Sequence, residues 1–185
     1  MRGLVTTKLV ALATMCMFCM TESVNELFGQ TDSTNSTNLK YSNDQLGFTL
    51  QHPSNWKIDE RTSSGIVNLA GENDHPIMAV DVKEVPRDTL TLKNSSFEQL
   101  AVQEKTNFYS HLFGPSYKVL SEKPVTIGNI SGIKLEYTTP GKYSYDVFFT
   151  GNGKLYSVAY VDSPSNVPET VKVANKVLES FQIVK

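Results

Sequence analysis

Apolar and polar residues alternate with a period of two over several short runs from Lys40 onward. Such alternation is expected of strands that bury one face and expose the other. Trp56, the only tryptophan, follows the break at Pro53 and is predicted to anchor the core. The pattern predicts strands over residues 48–52, 65–70, 77–85, 117–127 and 133–139.

The clearest predicted hairpin surrounds Gly151-Asn152-Gly153. Alternating residues lead into it over 143–149 and away from it over 155–161. Asn and Gly tolerate the positive φ angles that a tight hairpin turn requires. The aromatic residues of these strands form either a binding surface or, more commonly, a sheet face beneath a helix. They are Tyr143, Tyr145, Phe148, Phe149, Tyr156 and Tyr160.

Two segments have helical spacing. Apolar residues from Phe97 to Leu112 predict a helix over 96–111, with Ser95 and Glu98 as its capping box. Asn166 and the residues after it predict the start of a terminal helix, with Asn166 as its cap. Two helices and about seven strands predict an α+β fold, in which helices cover a central antiparallel β-sheet.

The first 22 residues predict a signal peptide or an N-terminal anchor. Arg2 and Lys8 accompany an uncharged apolar run over 9–20, which is shorter than the roughly 20 residues of a membrane-spanning helix. Residues 23–39 are predicted to be a polar flexible linker, and residues 40–185 the folded domain. We therefore expect an exported protein at the outer face of the cytoplasmic membrane or outside the cell, with peripheral membrane association through its N-terminus.

Charge and composition narrow the function classes. A chain of 185 residues with 39% hydrophobic content suits one domain with a substantial core. Its net charge of −2, without a basic block, argues against nucleic-acid binding, which requires clustered Lys and Arg. Asn35, Asn94 and Asn129 each begin an N-glycosylation acceptor triplet, so the chain is a candidate glycoprotein.

Candidate chemistry is sparse. Asp74 and His75 are the candidate metal ligands, with Glu72 and Asp81 near them in the sequence. Their spacing does not match a calcium loop, and an ordinary polar turn is the alternative. No catalytic residue is predicted, because the chain lacks Gly-x-Ser-x-Gly and both cysteines lie in the apolar run of the predicted signal. No cofactor is expected either, because the Gly151-x-Gly153 pair lies between two strands.

Four phrases, in chain order, resemble the PsbP-like domain family, named after an extrinsic subunit of photosystem II. The resemblance spans most of residues 46–184. It implies a PsbP-like α/β/α sandwich with the role of a non-catalytic accessory or scaffold domain, although a fold alone does not fix a function. The phrases are Gly47-Phe48 with His52-Pro53-Ser54-Asn55-Trp56-Lys57, Gly132-Ile133-Lys134-Leu135-Glu136-Tyr137, Gly153-Lys154-Leu155-Tyr156 and Ser180-Phe181-Gln182-Ile183.

The leading hypothesis is an extracytoplasmic, non-catalytic binding module that docks on a membrane or envelope protein complex. It predicts an exposed apolar patch larger than a monomer needs. The alternative, an extracytoplasmic small-ligand or metal-ion binder, predicts a concave pocket with converging polar groups. A hydrolase is the third hypothesis, and it requires a histidine within hydrogen-bond reach of a serine or carboxylate in a cleft.

Overall fold

The computed structural model describes residues 37–85 and 96–184. The predicted signal peptide, most of the predicted linker, Asn35, Asn94 and Ser95 lie outside the described residues. The strands are β1 Asn38–Asn43, β2 Phe48–Pro53, β3 Lys57–Arg61, β4 Ile66–Ala70, β5 Ile77–Glu84, β6 Lys118–Ile127, β7 Ile130–Thr139, β8 Lys142–Gly151, β9 Lys154–Asp162 and β10 Gln182–Ile183. The helices are α1 Phe97–Phe113 and α2 Val167–Glu179.

Seven strands form the main sheet in the order β3-β4-β5-β9-β8-β7-β6, and every neighbouring pair is antiparallel. A smaller sheet has the order β1-β2-β10. Helix α1 packs on one face of the main sheet, against β7 and β8. Helix α2 packs against β9 and against β2 of the smaller sheet, on the opposite face. The predicted α+β fold, with an antiparallel sheet between helical layers, is confirmed.

The larger core lies between the main sheet, α2 and the smaller sheet. At its centre Phe181 follows α2, and its ring centroid lies 5.3 Å from that of Phe48 and 5.0 Å from that of Phe149. Burying one such side chain contributes on the order of 1.5–3 kcal/mol. Five of the six aromatic residues noted in the sequence belong to this face, whereas Phe148 belongs to the core under α1. The structural interpretation of these residues is therefore correct, because α2 and the smaller sheet cover them.

The hairpin between β8 and β9 has the predicted turn. Asn152 has φ 51° and Gly153 has φ 77°, and this pair of positive angles matches the twist of the flanking strands. A second glycine is required for space, because a Cβ atom at Gly65 would lie 2.3 Å from the carbonyl oxygen of Val82. Backbone geometry thus fixes the register at two places in the main sheet.

Three details differ from the sequence-based expectation. The capping box of α1 is formed by Ser96 and Gln99, one residue later than predicted, while Glu98 accepts a hydrogen bond from Thr150 at 2.6 Å. The side chain of Asn166 does not cap α2 but donates to Asp162. Strand β1 begins at Asn38, so the last two residues of the predicted linker 23–39 lie in a strand.

Candidate functional site

Exposed apolar side chains are concentrated where α1 ends and β6 begins. Among the described residues, four large apolar side chains are exposed, and three of them are Leu112 (40%), Val119 (45%) and Leu120 (54%). A short 3-10 turn over 114–116 joins the two elements that carry them. We call these three residues the α1–β6 surface.

An aromatic cluster fixes the α1–β6 surface in place. The ring of Tyr109 on α1 lies 5.7 Å from that of Tyr117 and 5.3 Å from that of Tyr137 on β7. Leu112 lies three residues after Tyr109, which is the spacing of neighbours on one helix face. Val119 lies directly opposite Tyr137 across the β6–β7 ladder. Leu112 and Val119 therefore both border the same rigid cluster, so the exposed apolar atoms stand on an ordered base.

The outer strand β6 exposes its backbone edge, since it is the last strand of the main sheet. Its pairing with β7 is interrupted between Val119 and Ser121, which leaves Leu120 outside the regular register. Further along, the edge carries Lys123 and Pro124, two residue types that discourage uncontrolled strand pairing. The part of β6 that offers apolar contact is therefore the short stretch at the bulge.

Charged groups lie beneath α1. Asp146 on β8 is fully buried and accepts hydrogen bonds from Lys105 Nζ at 2.7 Å, Tyr137 Oη at 2.8 Å and Ser157 Oγ at 3.3 Å. Burial, together with the nearby Asp146 carboxylate, raises the pKa of the Tyr137 phenol well above its ordinary value, so this hydroxyl stays protonated and donates. Donors from α1, β7 and β9 thus converge on one carboxylate. Sequence reasoning did not single out Asp146, because a single acid in an aromatic strand gives no signal of its partners.

The two predicted metal ligands, Asp74 and His75, lie in different environments. His75 Nδ1 lies 3.1 Å from Oδ1 of the buried Asp162, and the Asp74 side chain is exposed. Within residues 37–85 and 96–184, no three His, Cys, Asp or Glu side chains are grouped so that they could hold a metal ion. The assignment of a metal to Asp74 and His75 stays a prediction.

The hydrolase hypothesis requires a histidine within hydrogen-bond reach of a serine or carboxylate in a cleft. The His75–Asp162 pair meets the distance part of this requirement. However, Thr170 Oγ1 donates to Asp162 Oδ2 at 2.8 Å, and Ser163 N donates to Oδ1 at 2.7 Å. These donors tie the end of β9 to the first turn of α2. These contacts therefore form a structural brace between β9 and α2. Thr170 donates its proton to the Asp162 carboxylate rather than to the His75 imidazole.

A cavity of about 590 Å³ opens at the opposite end of β9 from His75. Its volume is within the range of small-molecule sites, roughly 300–1,000 Å³. Its walls are the β6–β7 turn, the β8–β9 turn, the end of α2 and the chain after it, and among the described residues Glu179 is the only charged one that lines it. Neither Asp74 nor His75 lines this cavity.

These features define an α+β sandwich domain with an ordered apolar surface on its outer strand. The chain belongs to the PsbP-like protein family, whose sequence model matches residues 14–183. Comparison with curated proteins gives no match.

Solved structures share the fold. The solution structure of CyanoP, the cyanobacterial PsbP of Synechocystis sp. PCC 6803, matches with a TM-score of 0.60 and 16% identity, over 85% of this chain and 98% of CyanoP. LpqN of Mycobacterium tuberculosis, described as involved in cell envelope biogenesis, matches with a TM-score of 0.52 and 14% identity, over 75% of this chain and 83% of LpqN. A Bacteroides thetaiotaomicron VPI-5482 structure matches with a TM-score of 0.51 and 14% identity, over 79% of this chain and 48% of its own length.

No helix within the described residues combines the length and the apolar character that crossing a membrane requires.

Proposed function

We propose that this protein is a non-catalytic accessory module outside the cytoplasm, and that it docks on a membrane or envelope protein complex through the α1–β6 surface. The observation that carries the proposal is the exposure of Leu112, Val119 and Leu120 on a rigid aromatic base. Exposed apolar side chains that cluster at one edge are typical of interaction sites, whereas isolated ones need no explanation.

The family supports the same role. CyanoP is a cyanobacterial PsbP, and LpqN is described as taking part in cell envelope biogenesis. Both share this fold at low identity, so they support a location and a class of partner without identifying either. The apolar N-terminal run, with Arg2 before it, adds a route for export or anchoring.

The structure offers a matched pair of variants for testing this proposal. Leu120 on β6 and Leu39 on β1 are the same residue type with similar exposure, 54% and 46%, and they lie in different sheets. Neither side chain is buried, so a charge at either position should leave the free energy of unfolding within about 0.5 kcal/mol of wild type.

The test is co-isolation of tagged full-length protein from its native membranes, comparing wild type with Leu120→Glu and Leu39→Glu. We expect Leu120→Glu to lose a membrane-complex subunit that wild type and Leu39→Glu retain, with at least about a tenfold loss because interface hot spots cost 2 kcal/mol or more. Equal recovery of the same subunit by all three proteins would show that the docking surface lies elsewhere.

Small-ligand binding is the second candidate, and the cavity lined by Glu179 and the two turns favours it. Amide and hydroxyl groups of Asn129, Ser131 and Gln182 surround apolar atoms of Ile127 and Ile130 there. Glu179→Lys would reverse the single charge of this cavity. If Glu179→Lys still co-isolates with the membrane-complex subunit and Leu120→Glu does not, the α1–β6 surface rather than the cavity is responsible for docking.

A further inference from the structure

Helix α1 rests on an unusually charged underside. Besides Lys105 and Asp146, the interface includes Asp81 and Lys83 on β5 and Glu104 on α1. We call these five residues the ionic layer. Among the described residues, they comprise three carboxyl groups and two ammonium groups, and a further carboxyl group of α1, that of Glu98, faces β8 and accepts a hydrogen bond from Thr150. By contrast, only Ala101 and Val102 of α1 are fully buried apolar residues.

Two carboxyl oxygens of the ionic layer are poorly satisfied. Asp81 Oδ1 and Glu104 Oε2 are buried and make no hydrogen bond, and they are two of four such side-chain atoms among the described residues. The other Asp81 oxygen lies 3.3 Å from Lys83 Nζ. A buried acceptor without a donor costs on the order of 1–3 kcal/mol. Protonation would remove the negative charge of each group and would convert it into one that can also donate.

Electrostatics act in the same direction at both sites. Burial raises the pKa of Asp81, with Asp146 on β8 adding to the effect and Lys83 on β5 and Lys105 on α1 opposing it. Burial also raises the pKa of Glu104, against the opposing charge of Lys83. From β9 the layer is faced by the uncharged Ser157.

The sign of the pH dependence follows from these directions. A carboxyl group whose pKa is higher in the folded protein binds its proton more tightly there than in a chain that is unfolded or has α1 detached from the sheet. Each group therefore favours the packed helix at pH values below its ordinary range. This contribution is lost as the pH rises from the ordinary carboxyl pKa through the raised one, and above that the ionised groups oppose packing.

We infer that α1 packs more tightly on the main sheet in acid than at neutral pH, because the ionic layer buries two carboxyl oxygens that have no hydrogen-bond donor. Leu112 of the α1–β6 surface is part of this helix. If the proposed function holds, acidification also orders the docking surface. This consequence rests on the proposed function, whereas the pH dependence of α1 packing is tested without it.

The test is amide hydrogen exchange of the isolated full-length protein at about pH 4, close to the ordinary carboxyl pKa, and at about pH 7.5, with rates corrected for intrinsic exchange. Helix α2 serves as the internal reference. We expect the protection of the 97–113 peptides, relative to the 167–179 peptides, to increase about threefold or more in acid. Equal changes in α1 and α2 would overturn the inference whatever the state of any partner.

Two variants, one double and one single, identify the groups responsible. Asp81→Asn with Glu104→Gln should abolish the difference between α1 and α2, since neither amide titrates. His111 is exposed and is the basic residue in the last turn of α1, where a positive charge would favour the helix through its dipole. His111→Gln should therefore keep the response. Loss of the response in His111→Gln, or its persistence in the double variant, would contradict the assignment to the ionic layer.

Discussion

Asp146 and Asp162 are fully buried carboxylates on adjacent strands, and each is surrounded by donors. Asp146 receives Lys105 from α1, and Asp162 receives Thr170 from α2. Each acid therefore connects one helix to the main sheet. Both oxygens of each acid have a hydrogen-bond donor that compensates for the loss of water, whereas Asp81 Oδ1 in the ionic layer has none.

Removing the Asp146 carboxylate should be strongly destabilising. Asp146→Ala leaves the Lys105 ammonium and the Tyr137 hydroxyl without their acceptor, and breaking a buried ion pair typically costs about 3–5 kcal/mol. Urea denaturation followed by Trp56 fluorescence measures the free energy of unfolding. Asp59→Ala is the control, because Asp59 pairs with Arg61 on the exposed strand β3, where the cost is at most about 1 kcal/mol. A similar loss in both variants would show that Asp146 does not connect α1 to the main sheet.

Sequence reasoning at the residue scale was limited by long-range partners. It singled out His75 from its neighbours Glu72 and Asp74, but the contact that His75 makes is with Asp162, which is distant in the chain. In the same way, the sequence does not distinguish Leu112, Val119 and Leu120 from ordinary residues of a helix and a strand. The exposure of Val119 and Leu120 follows from β6 being the outer strand, which periodicity does not reveal.

Among the described elements, α1 and β6 together carry three of the four exposed large apolar residues. The helix begins at a reciprocal capping box, in which Gln99 N donates to Ser96 Oγ at 3.2 Å and Ser96 N donates to Gln99 Oε1 at 3.0 Å. Its far end is held by the aromatic cluster around Tyr109. Both ends of α1 are thus fixed, while its middle rests on the ionic layer.

Loss of the cap should weaken α1. Ser96→Ala removes the acceptor for the Gln99 amide, and such N-cap replacements cost about 1 kcal/mol. The urea midpoint of the variant should fall accordingly. Ser110→Ala, at an exposed position inside the same helix, should keep or slightly raise the midpoint because Ala is the better helix former. Equal effects of the two substitutions would show that Ser96 does not act as a cap.

Most elements could be predicted from the sequence because their apolar residues keep a regular period. The exceptions are β1, β3 and β10. Strand β3 consists of Lys57-Ile58-Asp59-Glu60-Arg61, and it forms only because the β4 backbone pairs with it at the edge. Strand β10 has two residues and depends on β2. Tertiary pairing, rather than local pattern, decides such short edge strands.

At the scale of the whole molecule, tyrosines link the stability of the fold to alkaline pH. Burial raises the pKa of Tyr143 to about 12, and burial also raises the pKa of Tyr156 and Tyr160. These phenols stay protonated in the folded chain, whereas the unfolded chain releases their protons near pH 10. The resulting stability is complete below about pH 10 and is lost as the pH rises toward 12.

We therefore expect tyrosinate absorbance and the change in Trp56 fluorescence that accompanies unfolding to appear together between about pH 10 and pH 12. Tyr143→Phe removes one titrating group, so the variant should lose less free energy of unfolding between these pH values than wild type. Full tyrosine ionisation in a chain that remains folded would contradict the burial of these phenols.

The family resemblance predicted the fold class correctly, since the PsbP-like family model matches residues 14–183 and CyanoP shares the fold over 85% of this chain. The docking role is a different matter, because structures of the same fold at low identity share architecture rather than partners. It depends on the α1–β6 surface alone.

The most direct test of that surface is photo-crosslinking in the native membranes, with a photoreactive residue placed at position 120 or, as the matched control, at position 39. Both positions are exposed leucines in separate sheets. The docking account predicts a crosslink from position 120 to one subunit of a membrane or envelope complex, and none to that subunit from position 39. The same crosslinks from both positions, or a crosslink to that subunit from position 39 alone, would contradict it.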